Sequence, residues 1–248
     1  MLTAMPHHND ESRVSQAIAA IRHDILVGIW KPGERLPLVP LAKKYDTSTT
    51  VVRESLMQMS SKYLVANEAN HGFSVPYLSI GNLADLNRVR CHCEDLALRM
   101  SFERGDLMWE SDVVAAHHRL QQTPRWGAGD HRGISDAWLE GAKDFHRTLI
   151  SACGVTILTD LADALEDATS LYRLWSRESA DTVTRNLADE HDGIVQAVVA
   201  KDADRAVGLL RRHYEASVKL ILDAGLLPEA ERPEPRRAAA GRTVRGAY

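Results

Sequence analysis

Apolar positions recur at three- and four-residue steps through most of the chain, and the breaks in that rhythm divide it into two parts. In residues 12–29, Val14, Ala17, Ile18, Ile21, Ile25 and Ile29 form one stripe, which predicts an amphipathic helix. Pro32-Gly33 then supplies turn chemistry. A short helix is expected from about Val39 to Tyr45, with Pro40 tolerated in its first turn. Asp46 follows it, a residue type that accepts the left-handed backbone of a turn. Ser48 is placed to cap a third helix reaching about Lys62, with Val51, Val52, Leu56 and Met59 inward. YLVA (63–66) and GFSV (72–75) are short strand candidates joined by NEANH, a hairpin with Asn and Gly at its bend.

From Asn82 onward the alternating pattern disappears. In residues 82–100, Leu83, Leu86, Val89, Cys93, Leu96 and Met100 keep helical spacing. A second helix at 111–122 is cut by Pro124 and the Gly-rich run RWGAGDHRG, and further helical segments span 135–153, 155–177, 182–200 and 203–225. Gly225 and Pro228 form a stop signature. The predicted fold is therefore mainly α. A winged helix-turn-helix at residues 1–77 is followed at 78–228 by an antiparallel all-α bundle of about six helices, for effector binding and dimerisation. Residues 229–248, rich in Arg, Glu and small residues, are expected to be a disordered tail.

That architecture gives the third helix a role. Ser48, Thr49 and Thr50 stand where a recognition helix begins, within reach of phosphate or base edges. Arg53, one turn on, is long enough for a guanine edge, and His71-Gly72 forms the wing tip. Lys43, Lys44 and Lys62 are candidate phosphate contacts. The same layout also serves protein-docking modules. Charge changes the picture little. Residues 1–76 hold 8 Lys/Arg against 7 Asp/Glu and the remainder 22 against 27, so nucleic-acid binding is permitted without being indicated. No apolar run approaches the roughly 18 residues needed to span a bilayer, and the N-terminus lacks a signal-peptide layout. A soluble cytoplasmic protein without a membrane partner is expected. The cysteines Cys91, Cys93 and Cys153 suit reduced structural thiols; two residues apart on a helix, Cys91 and Cys93 point about 200° apart and do not share an ion.

His146, His191 and His213 fall on the apolar stripes of three different helices. One inward imidazole per helix is ordinary core chemistry; three converging in a dry cavity make a good divalent-metal site. Both readings stand at this level. Arg90 lies four residues before Glu94, so an i, i+4 pair accounts for both. Arg173 and Arg177 flank Trp175 as a carboxylate clamp or as solvated ends.

Taken together, "ILVGIWKPGERL…LAKKYDTSTTVVRESLMQM" and the wing "HGFSV" resemble the DNA-binding domain of the GntR family of bacterial transcription regulators. "RVRCHCEDLA", "FHRTLISACG" and "EHDGIVQAVVAKDADRAVGLLRRHYE" resemble the helical FCD effector domain of its FadR/VanR-type branch. The resemblance runs from about residue 12 to 222. It implies a homodimer that reads a palindromic operator in double-stranded DNA, probing a small organic-acid effector with Arg90 and Arg173, and mostly repressing. It also implies a divalent metal, Zn or similar, held by His146, His191 and His213. The aspartate that many members place four residues before the first histidine is Ala142 here, and Asp144 points elsewhere on its helix. Leu38, Val39, Thr49 and Val51 occupy slots where the family commonly has Glu, a basic residue, Arg and Pro. An operator unlike the common one, or weaker specificity, is expected. A fainter likeness, the EHD run at Glu190–Asp192 with His146 upstream and Asp202 or Asp223 downstream, suggests a helical metal-dependent phosphohydrolase.

Overall fold

The computed structural model describes residues 8–127, 134–173, 185–225 and 227, with the backbone alone for 8–12. The first unit contains α1 (His8–Leu26), α2 (Leu38–Lys44), α3 (Thr49–Ser60) and an antiparallel hairpin of β1 (Ala66–Glu68) and β2 (Gly72–Ser74). The register pairs Ala66 with Ser74, Asn67 with Phe73 and Glu68 with Gly72, which leaves residues 69–71 as the tip. Asp46 takes a left-handed φ of 47°, as its residue type suggested. Gly33 is left-handed as well, and a Cβ there would stand 2.5 Å from the Tyr77 ring, so the turn needs glycine twice over.

Two boundaries differ from the pattern. Helix α1 stops at Leu26 because Gly28 turns left-handed (φ 82°), which leaves Ile29 exposed and off the stripe. The strand expected from Tyr63 begins only at Ala66. Tyr63 itself has φ 60°, so the chain turns there and buries Leu64 and Val65 before the ladder starts.

The second unit contains α4 (Ile80–Arg104), α5 (Leu107–Gln122), α6 (Asp136–Leu149), a 3-10 turn (Ser151–Cys153), α7 (Thr156–Arg173), α8 (Leu187–Val199) and α9 (Ala203–Asp223). These are six α-helices among the described residues. Ser79, Asp106, Ser135, Asn186 and Asp202 cap α4, α5, α6, α8 and α9 with their side-chain oxygens. The Asp106 cap starts α5 four residues earlier than its apolar pattern did. The segment expected to be one helix through Cys153 breaks after Leu149 and ends at left-handed Gly154.

One core gathers Leu98, Val113, Phe145, Leu149, Ile194 and Leu210 from α4, α5, α6, α8 and α9. A second gathers Ile21, Leu41, Val52 and Leu56 from α1–α3, and takes in Leu171 and Tyr172 of α7. The boundary between the units is therefore crossed by packing as well as by the chain. In α7, Ala164 to Thr169 are buried without interruption.

Helix α4 corrects the expected stripe. Leu83 and Cys93 are buried, but Val89 and Leu96 are about half exposed, and Arg90, Glu94, Ala97 and Ser101 take the inner face. A buried ion pair displaced the apolar reading. The three cysteines are buried and free. No helix among the described residues is long and apolar enough to cross a membrane. The tail at 229–248, and Trp175 and Arg177, lie outside the described residues.

Candidate functional site

On α3, Val52, Leu56 and Met59 face the core, while Val51 packs on Val14 and Ala17 of α1. That packing turns Thr49, Thr50 and Arg53 outward, all exposed. Ser48 serves first as the N-cap, its Oγ accepting from Val51 N at 3.2 Å. Its hydroxyl proton is left to donate outward. His71 and Gly72 are exposed at the wing tip. Arg35 joins them; it is bridged to Ser74, and its Nη2 lies 3.5 Å from His71 Nδ1. Arg35 was not singled out from the sequence, and only the three-dimensional hairpin puts it beside the wing. Of the expected phosphate contacts, Lys43, Lys44 and Lys62 are all exposed, and Lys44 also pairs with Asp24 at 2.6 Å and sits over the Trp30 ring.

The three histidines do converge. His146 on α6, His191 on α8 and His213 on α9 are buried, and one nitrogen from each lies within 4.8 Å of the others. Their ring centroids are 5.5, 5.1 and 4.8 Å apart. They border a cavity of about 100 Å³, whose wall also carries Arg90, Arg125, Arg173, Arg185 and Ala142. Among the described residues, neither nitrogen of His146 has a hydrogen-bond partner, nor does His191 Nε2. Buried polar atoms are rarely left so, and such atoms mark a missing ligand or water. Burial, then the neighbouring imidazoles, pushes His146 well below its ordinary range; His191 is pushed down in the same way by burial, His213 and His117. Neutral imidazoles are the form that binds metal.

His213 is oriented from behind. Its Nδ1 lies 2.8 Å from Glu190 Oε2, and Arg185 grips the same carboxylate through Nε and Nη2. Burial alone would raise the Glu190 pKa, but the His213 hydrogen bond and Arg185 bring it down to about 2. The anionic acceptor fixes the proton on Nδ1 and leaves Nε2 as the lone-pair atom. Ala142 confirms the loss anticipated from its position: it is buried at the cavity wall and offers no ligand. Asp144 is exposed and pairs with Arg119.

Both expected effector arginines reach the cavity, already partnered. Arg90 donates from Nε to Glu94 Oε1 at 2.7 Å, from Nη1 to Thr169 Oγ1 at 3.2 Å, and pairs through Nη2 with Glu166. Arg173 Nη2 donates to the other Glu166 oxygen. Tyr214 closes the network, donating to Glu94, with the Arg90 guanidinium 3.9 Å from its ring centre. Sequence reasoning missed Glu166, Arg185, Glu190 and Tyr214. No local signal set Glu166 apart, since α7 also carries Asp160, Asp163 and Asp167.

The hydrolase arrangement is not assembled. Asp192 accepts from Gln196, Asp202 caps α9, and Asp223 pairs with Lys219, all away from the imidazoles.

Residues 13–75 match the family described as bacterial regulatory proteins, gntR family, and residues 85–216 match the FCD domain. Over 227 residues the chain is 32% identical to the HTH-type transcriptional regulator BphR of Paraburkholderia xenovorans (strain LB400), covering 90% of this chain and 91% of that one. It is 28% identical over 207 residues to the HTH-type transcriptional repressor GlaR of Escherichia coli (strain K12), covering 82% and 93%. Among solved structures, the fold is similar to E. coli McbR/YncC, with a TM-score of 0.70, 20% identity and coverage of 85% and 97%. A GntR-type regulator from Rhodococcus sp. RHA1 gives a TM-score of 0.66 at 23% identity, covering 86% and 99%. The chain belongs to the GntR family: it is a DNA-binding regulator with a ligand-sensing FCD domain behind its winged helix, and not an enzyme.

Proposed function

We propose that the protein is a homodimeric repressor of the FadR/VanR-type branch that reads a palindromic operator and releases it on binding a small organic acid. The acid would lie against a divalent metal held by His146, His191 and His213. The observation that carries the reading is the group of buried imidazole nitrogens without a hydrogen-bond partner among the described residues, facing a cavity lined by arginines.

Zinc and similar ions favour three neutral imidazoles with an open fourth position. Nitrogens on one tetrahedral ion stand about 3.4 Å apart, so the present spacing requires a modest closure. With Ala142 in place of a carboxylate, the fourth position falls to water or to the effector's oxygen. A bound ion supplies a positive charge that attracts a carboxylate there. The chain's own residues fix the class of ligand. Four guanidiniums, those of Arg90, Arg125, Arg173 and Arg185, line the cavity. Such a lining favours an anion of the size of a short carboxylic acid.

On the other unit, Thr49, Thr50, Arg53, His71 and Gly72 offer a polar rim on an exposed helix and wing, suited to a major groove and the phosphates beside it. The exposed Val89 and Leu96 of α4 and Ile157 of α7 favour a second copy as partner.

The test combines two measurements on purified protein. Elemental analysis should find about one metal per chain in the wild type and a sharp loss in His191→Ala; equal metal content in both removes His191 from the site. A mobility-shift titration with DNA from upstream of the protein's own gene should show a salt-sensitive shift. No shift below about 10 μM protein would overturn DNA reading.

A further inference from the structure

Helix α7 carries two adjacent buried carboxylates that serve different units of the molecule. Consecutive helical residues diverge by about 100°, so Glu166 and Asp167 face different neighbours. Glu166 takes Arg90 on one oxygen and Arg173 on the other, and both arginines line the histidine cavity. Asp167 turns to α1 and α6. It receives Arg22 Nε at 3.2 Å and Nη2 at 2.7 Å, and Lys143 Nζ at 2.6 Å. The remaining Arg22 nitrogen, Nη1, donates to Glu140 at 3.2 Å. Burial opposes both negative charges, yet the surrounding cations hold both carboxylates below their ordinary range.

Arg22 belongs to α1, which is keyed to the DNA-facing helix. Val14 and Ala17 pack on Val51, and Ser55 Oγ donates to Val14 O at 3.4 Å. A second cavity, of about 460 Å³, lies between α1, α6 and α7 and carries Arg22, Lys143, Glu166 and Arg173 on its walls. Arg173 also borders the histidine cavity, so the Glu166–Arg173 pair stands in the partition between the two.

We propose that Glu166 is the resident counter-ion of two arginines that wall the histidine cavity, and that its replacement there by a ligand carboxylate is conveyed through Asp167 and Arg22 to α1. The proposal rests on the reading of the cavity as an organic-acid site and assigns its means of regulation. An incoming carboxylate that takes Arg173 and Arg90 leaves Glu166 a buried, unpaired anion. Lys143 is a further cation at hand, since it borders a small space together with Glu166, Arg90 and His146. Drawing Lys143 toward Glu166 removes a partner from Asp167, loosens its hold on Arg22 and frees α1 to shift with α3. No bond is made or broken; three cations are shared among one more carboxylate.

Hydrogen–deuterium exchange of the α1 amides in the full chain tests the link without needing DNA or ligand. Arg173→Gln strips Glu166 of a cation and should speed exchange in α1 about threefold, Arg22→Gln should speed it about tenfold, and the double variant should go no further than Arg22→Gln alone. Glu166→Gln has no charge to draw Lys143, so adding it to Arg173→Gln should return α1 exchange toward the wild-type rate. Additive changes in Arg173→Gln with Arg22→Gln, or an α1 untouched by Arg173→Gln, overturn the proposal.

A second arm uses acetate, succinate and citrate as probes. In Arg22→Gln, a probe that raises the melting temperature should no longer weaken binding to the upstream DNA fragment. A full DNA response in Arg22→Gln overturns the relay and leaves the proposed function intact. Wild-type protein that answers none of these probes and shifts no DNA overturns the proposed function, while the exchange measurement still decides the link.

Discussion

The outer face of α3 and the inner wall of the histidine cavity both present arginines to a polyanion or an anion, but they reach that state by opposite routes. Arg53 stands exposed on a helix whose other side is fixed by Val52, Leu56 and Met59; it has no ion pair among the described residues and costs the fold nothing. Arg90 lies 4% exposed among Glu94, Glu166, Thr169 and Tyr214. The fold depends on those partners, because a buried charge is tolerated only when matched. A binding surface on the outside is separable from stability, whereas one on the inside is part of it.

The largest effect expected follows from that difference. Arg90→Ala leaves Glu94 and Glu166 with too few cations in the interior and should cost about 3–5 kcal/mol of stability. Arg53→Ala should change stability by no more than about 0.5 kcal/mol. Urea titration of the two variants measures both. Equal stability would mean that the α4–α7 ion network contributes nothing and would break the comparison.

Acid should separate the regions in the same sense. In chelator-treated protein, His146, His191 and His213 sit below their ordinary pKa of 6.5 because of burial and, for the first two, neighbouring imidazoles. Below pH 6.5 the unfolded chain therefore binds protons that the folded one refuses. Stability falls as pH drops from about 6.5, by up to about 1.4 kcal/mol per pH unit for each histidine, and levels once the folded pKa values are passed. Glu190 behaves differently: held at about 2, it stabilises above its ordinary 4.5 and loses that contribution only between there and 2. A melting curve that declines between pH 6.5 and 5 thus reports the imidazoles. His146→Phe should remove part of that decline. An unchanged slope would place the titration elsewhere.

Much of this was legible from sequence where one residue decides one local feature. Ser48 at an N-cap, Asp46 at a left-handed turn and the apolar stripe of α3 each required only neighbours along the chain. The convergence of His146, His191 and His213 was legible as three inward faces, since inwardness on separate helices of one bundle leaves few places to meet. Helix α4 was misjudged because period alone ranks Val89 and Leu96 above Arg90 and Glu94 as core residues; partners on α7 and α9 reversed that order. Glu166, Asp167 and Arg22 were invisible for the same reason. Glu166 meets Arg90 across 76 residues and Asp167 meets Arg22 across 145, and no local pattern announces an ion pair over that separation.

DNA affinity gives the next effect. Arg53→Ala should weaken binding to the upstream fragment by about 1–3 kcal/mol, the loss typical of one arginine–base contact. His191→Ala should leave affinity of the ligand-free protein within about threefold, because its side chain lies in the other unit. Anisotropy titrations at fixed salt check both. If Arg53→Ala leaves affinity unchanged, α3 is not the reading element, and the winged helix is better regarded as a protein-docking module.

The smallest effect tests whether exposure alone assigns a phosphate contact. Lys43 and Lys44 are adjacent on α2, but Lys43 is exposed without an ion pair among the described residues, while Lys44 is committed to Asp24 and to the Trp30 and Tyr45 rings. A lysine that neutralises a phosphate releases condensed counterion, so removing it lowers the slope of log affinity against log salt by about 1. Lys43→Ala should show that reduction with little change in stability. Lys44→Ala should keep the slope and lower stability instead, by about 1 kcal/mol, because Asp24 loses a partner in a half-buried network with Tyr45. If both variants flatten the slope equally, Lys44 leaves Asp24 for the duplex on binding, and its fixed position in the free protein has been overread.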